Sequence, residues 1–221
     1  QGEMGKEYAL LDGEKPEVAQ AIFEQYMPRF AGDILPQQEI GRALSLADKL
    51  DNLAATFLRG LIPTGSQDPF ALRRQTIGAV NILTDGKIHW DIRRGIEAAL
   101  ALLPGDEETK KTVLSQIEDF FRQRIKAIML DEGIAYDIID AVLADPVDDI
   151  YALFLKARSM AESQLKGEAE LRQAVTRLAN ITKGKTGGKV DPSLFTEDVE
   201  KKLQDAFEAV SAKALPLFAS Y

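Results

Sequence analysis

The sequence contains no cysteine and only one histidine, His89. A chain without cysteine forms no disulfide and offers no thiolate to a metal ion, which is typical of proteins from a reducing compartment. A single histidine also cannot build the multi-histidine ligand sets of catalytic zinc or iron centres. These absences exclude disulfide-stapled folds and histidine-rich metalloenzymes.

Long apolar segments are absent as well. No run approaches the roughly 18 to 20 apolar residues that a membrane-spanning helix needs. Residues 1–18 lack the basic-then-apolar order of a secretory signal peptide. We therefore expect a soluble, cytoplasmic protein that does not enter a membrane. The first residue is Gln1 rather than methionine, and we expect an upstream segment to be missing from this chain.

Acidic residues outnumber basic ones, and the formal net charge is -8. The chain as a whole is therefore repelled by a polyanion. Any contact with nucleic acid has to be made by local groups of cationic side chains.

The hydrophobic periodicity predicts an all-α fold. In residues 106–131 the apolar side chains recur at three- and four-residue steps, and Asp106 is suited to cap the start of this helix. No alternating run long enough to predict a strand is present. Pro104 and Gly105 predict a break between two domains, 1–105 and 106–221. The predicted helices cover residues 16–29, 36–58, 69–83, 91–103, 106–131, 136–143, 146–164, 168–182 and 196–215.

Two adjacent arginines stand in GLIPTGSQDPFALRRQTIGAV, residues 60–80. Asp68 is suited to cap a helix whose first residue is Pro69. On that helix Arg73 lies on the apolar face and Arg74 beside it on a more polar face. We interpret Arg73 as a structural arginine that needs a carboxylate partner, because an unpaired buried charge destabilises the folded state by several kcal/mol. Arg74 is either a ligand for phosphate or a solvated surface group.

A pair of acids, Asp48 and Asp51, stands one helical turn apart in ALSLADKLDNLAATF. This spacing allows metal binding, but a solvated helix face is the simpler interpretation. The segment LADKLDNL resembles a late helix of HD-type phosphohydrolases, in which an aspartate at the position of Asp48 helps to hold a metal ion. The histidine and His-Asp ligands from the earlier helices of that family are not in this chain, and His89 is not at a matching position.

A longer resemblance covers nearly the whole chain. The segments PRFAGD, ADKLD and GLIPTGSQDPFALRR, in this order, resemble the C-terminal half of the β subunit of the bacterial two-subunit glycyl-tRNA synthetase. The combination is more specific than any one of these motifs. It implies an HD-like helical domain with a degenerate metal motif over residues 1–105 and an anticodon-binding-like helical domain over residues 106–221.

The resemblance also implies a division of labour between two subunits. In the family the α subunit holds the glycine-activating site and uses ATP and Mg²⁺, whereas the β subunit binds tRNA-Gly. We therefore expect this chain to have no catalytic residue, metal site or cofactor of its own, and to have tRNA-Gly and the α subunit as partners. In AVTRLANITKG, residues 174–184, Arg177 and Asn180 match an arginine and an asparagine at a helix end of the anticodon-binding domains.

A lysine-rich segment follows, TKGKTGGK. It ends like a phosphate-binding P-loop, but Ala179 stands where the first glycine is required and the segment follows a helix instead of a strand. Lys183, Lys185 and Lys189 are therefore interpreted as contacts to RNA phosphates or as parts of a polar hinge.

Two other functions stay open at this point: an active HD-type phosphohydrolase and a purely structural helical docking module. A degenerate metal site would leave Asp48 without a cation. We therefore predict that Arg73 supplies this charge and forms a structural ion pair with Asp48 or Asp51.

Overall fold

The structure is a computed structural model that describes residues 2–65, 68–144, 146–165, 169–184 and 190–219. Helices dominate these residues, no strand is formed among them, and the prediction of an all-α fold is confirmed. No helix in these ranges is both long and apolar enough to cross a membrane. The α-helices are α1 (Gly2–Leu11), α2 (Pro16–Glu24), α3 (Glu39–Leu58), α4 (Leu72–Asp85), α5 (Ile92–Ala101), α6 (Glu107–Asp131), α7 (Tyr136–Val142), α8 (Ile150–Leu165), α9 (Ala169–Thr182) and α10 (Asp198–Ala219).

The start of α6 shows how local chemistry sets a helix boundary. The carboxylate of Asp106 accepts hydrogen bonds from the backbone nitrogen and the hydroxyl of Thr109, at 2.8 and 2.7 Å. These bonds lower the pKa of Asp106, because they stabilise its charged form. The predicted N-cap at Asp106 is thus confirmed.

The start of α4 differs from the prediction. The helix begins at Leu72, because Pro69 and Phe70 form a turn and Ala71 has left-handed backbone angles, φ 54° and ψ 33°. The prediction of Pro69 as the first helical residue is therefore wrong. The carboxylate of Asp68 nevertheless serves the helix start, since it accepts the backbone N–H groups of Leu72 and Arg73 at 2.8 and 2.9 Å.

The chain divides into two compact units, residues 1–168 and 169–221. In the first unit α3 packs on α2, α4, α5 and α6, and α6 packs on α4, α5 and α7. Most of the largest fully buried side chains of this unit belong to one continuous apolar core. They include Leu53, Leu83, Ile96, Ile117, Phe121, Ile125 and Phe154.

This core contains residues from both sides of the predicted domain boundary. The rings of Phe57 and Phe120, one from each side of residue 105, meet edge to face with their centroids 5.2 Å apart. The division at residue 105, into an HD-like and an anticodon-binding-like domain, stays a prediction. The packing of the first unit is continuous at that point.

The second unit contains α9, a 3₁₀ turn at Pro192–Leu194 and α10. At the start of α10 the carboxylate of Glu200 accepts the backbone N–H groups of Thr196 and Glu197, at 2.7 and 2.9 Å. Both helices carry an apolar stripe at helical spacing. The side chains of these two stripes are more than half exposed: Val175, Leu178 and Ile181 on α9, and Val199, Leu203, Phe207, Val210 and Leu215 on α10.

Candidate functional site

A cavity of about 510 Å³ opens between α3, α4 and the linker that joins α2 to α3. We refer to it as the polar cavity. It is lined by Tyr26, Pro28, Arg29, Asp48, Lys49, Asn52, Phe70, Ala71, Arg74 and Gln75.

Asp48 lies in this cavity with both carboxylate oxygens facing amide groups. Gln25 Nε2 donates to Oδ1 at 3.1 Å, and Asn52 Nδ2 approaches Oδ2 at 3.5 Å. The amide of Asn52 also donates to Gln75 Oε1, and Gln75 in turn donates to the carbonyl of Phe70. Hydrogen-bond donors therefore point at the oxygens that would ligate a metal ion in an HD-type site.

The degenerate metal motif at Asp48 stays a prediction. Across the described ranges no three histidine or acidic side chains are grouped so that they could hold a metal ion. Asp51, one turn later, lines a different and more apolar cavity together with Leu46 and Trp90. The two acids of ADKLD thus open onto separate spaces.

Lys49 is the residue that the sequence analysis missed. Its side chain is buried, with the residue 3% exposed, and its ammonium donates to the carbonyl of Met27 at 2.8 Å and to Ser45 Oγ at 2.6 Å. The sequence signal was its position on the apolar face of α3, three residues after Leu46 and four before Leu53. Burial lowers the pKa of the Lys49 ammonium to about 8, and the Asp48 carboxylate opposes this shift.

This lowered pKa predicts a pH dependence of stability. Below about pH 8 the ammonium is charged in the folded and the unfolded chain, and the folded state bears the full cost of burying it. Between about 8 and the ordinary value of 10.5, the unfolded chain holds the proton and the folded chain does not. Stability from this group therefore rises with pH, by at most about 1.4 kcal/mol per unit.

The measurement is urea unfolding of the wild type and of Lys49→Met at several pH values from 7 to 10, the range set by that pKa. The free energy of unfolding of the wild type, minus that of Lys49→Met, is expected to increase as the pH rises. The comparison cancels groups that titrate in both proteins. A difference that does not change with pH contradicts the assignment.

Arg74 is exposed and lines the mouth of the polar cavity. Its guanidinium donates to the backbone carbonyl of Arg29 at 3.0 Å and so holds the α2–α3 linker against α4. Arg29 itself pairs with Asp33 at 2.8 Å, and this side-chain hydrogen bond is the main cause that lowers the pKa of Asp33 to about 2. The role of Arg74 as a phosphate ligand stays a prediction.

Arg73 is half-buried and contacts the loop before α4. Its guanidinium donates to the carbonyl of Gly65 at 2.7 Å. Burial lowers the pKa of Arg124 on α6, and the charge of Arg73 adds to this shift. The ion pair of Arg73 with Asp48 or Asp51 stays a prediction.

Arg177, Asn180 and Lys183 lie in the second unit, on α9 and the turn that follows it, and all three are exposed. Arg177 and Asn180 are three residues apart on α9 and are therefore neighbours on its surface. Lys183 lies in the turn that directly follows the helix. Lys185 and Lys189 lie outside the described residues.

Known proteins resemble this chain over almost its whole length. A family model described as the glycyl-tRNA synthetase beta subunit matches residues 1–144. A glycine–tRNA ligase beta subunit of Clostridioides difficile (strain 630) is 45% identical over 214 residues, which are 96% of this chain and 31% of that protein. The beta subunit of Desulforamulus reducens is 42% identical over 221 residues, 98% of this chain and 32% of that protein. The chain thus spans about a third of the length of the curated relatives that it matches.

Proposed function

Because the chain belongs to the glycyl-tRNA synthetase β-subunit family, we propose that it is a tRNA-recognition portion of a bacterial glycine–tRNA ligase. The observation that carries this proposal is the family match over residues 1–144, together with relatives that align with nearly the whole chain. The RNA partner is tRNA-Gly, and the protein partner is the α subunit. The protein works in the cytoplasm.

The chain binds RNA through local cations, although its net charge is -8. In the second unit Arg177 and Asn180 are exposed near the end of α9, and Lys183 is exposed in the turn that follows it. Cationic side chains position the phosphate backbone, and amide groups can read the edges of unpaired bases. In the first unit Arg74 offers a further exposed guanidinium.

Chemistry belongs to the α subunit, where ATP and Mg²⁺ act in glycine activation. In this proposal the chain contributes binding and orientation of the tRNA, and we expect it to supply no catalytic residue and to need no cofactor of its own. We expect the purified chain to show neither glycylation nor phosphohydrolase activity. Metal-dependent hydrolysis of a nucleotide that disappears in Asp48→Ala would instead establish an HD-type phosphohydrolase.

A salt titration tests the RNA contacts. Each phosphate contact releases counterions, so the logarithm of the affinity for tRNA-Gly falls linearly with the logarithm of the salt concentration. Replacing Arg74, Lys183, Lys185 and Lys189 by alanine is expected to flatten this slope by about 0.7 to 0.9 per lost contact. Affinity is measured by fluorescence anisotropy at several salt concentrations.

A matched control removes the same charge elsewhere. Lys15, Lys87, Arg94 and Lys111 are exposed, and their replacement by alanine changes the net charge equally. This control protein is expected to keep most of the slope, because general attraction by net charge is weak and screened. If both sets of substitutions leave affinity and slope unchanged, or change them equally, the assigned RNA contacts are wrong. A purely structural docking module would show no specific binding of tRNA-Gly at all.

A further inference from the structure

The polar cavity combines features that a nucleotide would need. Its volume of about 510 Å³ lies within the range of about 300 to 1,000 Å³ that is common for small-molecule sites. Three cationic side chains line it, Arg29, Lys49 and Arg74, together with the carboxylate of Asp48. Arg29 is paired with Asp33 and the ammonium of Lys49 donates to Met27 and Ser45. Arg74 is therefore the lining cation on which a ligand at this cavity would depend.

Arg74 has donors to spare at the mouth of this cavity. A guanidinium carries five N–H groups, and in the described part of the chain Arg74 makes one hydrogen bond, to the carbonyl of Arg29. That bond fixes the position of the side chain and leaves the other N–H groups for a ligand. Forked N–H groups match the oxygens of a phosphate.

Two aromatic rings lie on the same cavity. Tyr26 is 49% exposed and Phe70 is 47% exposed. Exposed rings next to cations are a common surface for unpaired bases, because a base stacks on the ring while its phosphate meets the cation.

The backbone beside Phe70 has an unusual conformation. Ala71, the next residue, has a left-handed conformation with φ 54°, which costs a residue with a Cβ free energy and is concentrated at ligand sites. The carbonyl of Phe70 is held by Gln75 Nε2 at 3.0 Å. Gln75 on α4 thus holds the turn that precedes this helix.

Amide groups complete the lining. The amide nitrogen of Asn52 donates to Gln75 and approaches Asp48, and that of Gln75 donates to the carbonyl of Phe70. Each amide has two donor hydrogens and a carbonyl with two lone pairs, so the carbonyl of Asn52 and one N–H group of Gln75 retain hydrogen-bonding capacity. Such groups can bond to the edge of a base.

We propose that the polar cavity binds one unpaired nucleotide of the bound RNA, with the base against Tyr26 and Phe70 and the phosphate at Arg74. This inference rests on the proposed tRNA-binding function. An unpaired nucleotide is required, because a base within a duplex has both faces stacked and cannot reach the rings.

The test uses the 221-residue protein labelled with ¹⁵N and follows its side-chain amide signals by NMR. The probes are the four nucleoside 5′-monophosphates, inorganic phosphate, the uncharged nucleosides and single-stranded tetranucleotides. Saturable shifts of the Asn52 and Gln75 amide signals are expected with nucleotides. The tetranucleotide is expected to bind more tightly than a mononucleotide, because its further phosphates meet neighbouring cations.

Two substitutions test the two halves of the site. Arg74→Ala and Tyr26→Leu are each expected to weaken binding of the tetranucleotide by roughly ten- to a hundredfold, the range that loss of a charged or stacking contact produces. Arg74→Lys keeps the charge but is expected to restore binding only in part, since it lacks the fork. Arg94→Ala and Tyr136→Leu are matched controls, because both residues are exposed and lie outside the cavity.

The outcomes separate this inference from the proposed function. If tRNA-Gly binds but no nucleotide shifts the Asn52 and Gln75 signals, or the two substitutions act like their controls, the cavity site is wrong and the proposed function stands. A mononucleotide that binds as tightly as the tetranucleotide overturns the assignment to RNA. If the protein binds neither tRNA-Gly nor any nucleotide, both proposals fail.

Discussion

Phe121→Ala is expected to lower the free energy of unfolding by about 3 to 5 kcal/mol, the usual cost of truncating a fully buried phenylalanine. Phe121 lies on α6, has no exposed surface and belongs to the core that also includes Leu53 and Leu83. Its removal leaves a cavity that the close-packed helices of this unit can fill only in part. The measurement is urea unfolding, followed by circular dichroism.

The same variant tests whether the segments before and after residue 105 unfold separately. Trp90 is the single tryptophan of the chain; it precedes that position and packs against the core. Because the core is continuous, Trp90 fluorescence is expected to show the same shift in the unfolding midpoint as the circular dichroism signal. Phe30→Ala, at a ring that is 56% exposed, is the control and should cost less than about 1 kcal/mol. A fluorescence transition that stays at the wild-type midpoint would instead show two independently folding domains.

Helices with a clear apolar period could be predicted from the sequence. For α6 the period, the cap at Asp106 and the preceding Pro-Gly turn all indicate the same start, and the structure has it at Glu107. Agreement among local signals of this kind is what makes a helix predictable. The apolar period alone was a less reliable guide to where a helix begins or ends when a proline lay near that boundary.

The boundaries near prolines were predicted less well. The helix expected over 16–29 ends at Glu24, and the helix expected from residue 36 begins at Glu39. The residues between them form a linker whose carbonyls are bound by side chains from later helices, as at Met27 by Lys49. Such long-range hydrogen bonds leave no trace in local sequence patterns.

The candidate site was also predictable only in part, because some of its contacts are long-range. Asp48 and Arg74 could be named from a motif and from a helical wheel, and the structure places both on the polar cavity. The amide of Gln25 that donates to Asp48 comes from the residue after α2, so only the fold reveals this contact. Asn52, by contrast, lies four residues after Asp48 on the same helix, a spacing at which side chains are neighbours. Lys49 was overlooked because a lysine at an apolar position of a helix is ordinarily solvated through its long stem.

Gly41→Ala is expected to destabilise the protein by about 3 kcal/mol, although alanine is the better helix former by about 1 kcal/mol. A Cβ at Gly41 would lie 1.9 Å from Glu24 Oε2 and 2.8 Å from the Cβ of Glu24. Glu24 is only 2% exposed, and its carboxylate accepts hydrogen bonds from Gln20 Nε2 and from the backbone nitrogen of Gln38. The side chain cannot turn away without leaving these donors unpaired, a loss that outweighs the gain in helix propensity.

The origin of this cost is tested by a double-mutant cycle. In the Glu24→Gly background both the carboxylate and the Cβ that clash with the new methyl group are gone, so Gly41→Ala should cost clearly less there than in the wild type. Ala43→Gly, at an exposed position of the same helix, measures the propensity effect alone and should cost about 1 kcal/mol. Urea unfolding of the four proteins of the cycle gives the coupling energy directly. Equal costs of Gly41→Ala in both backgrounds would mean that the contact between α2 and α3 does not depend on Glu24, contrary to the close approach of the two helices at this glycine.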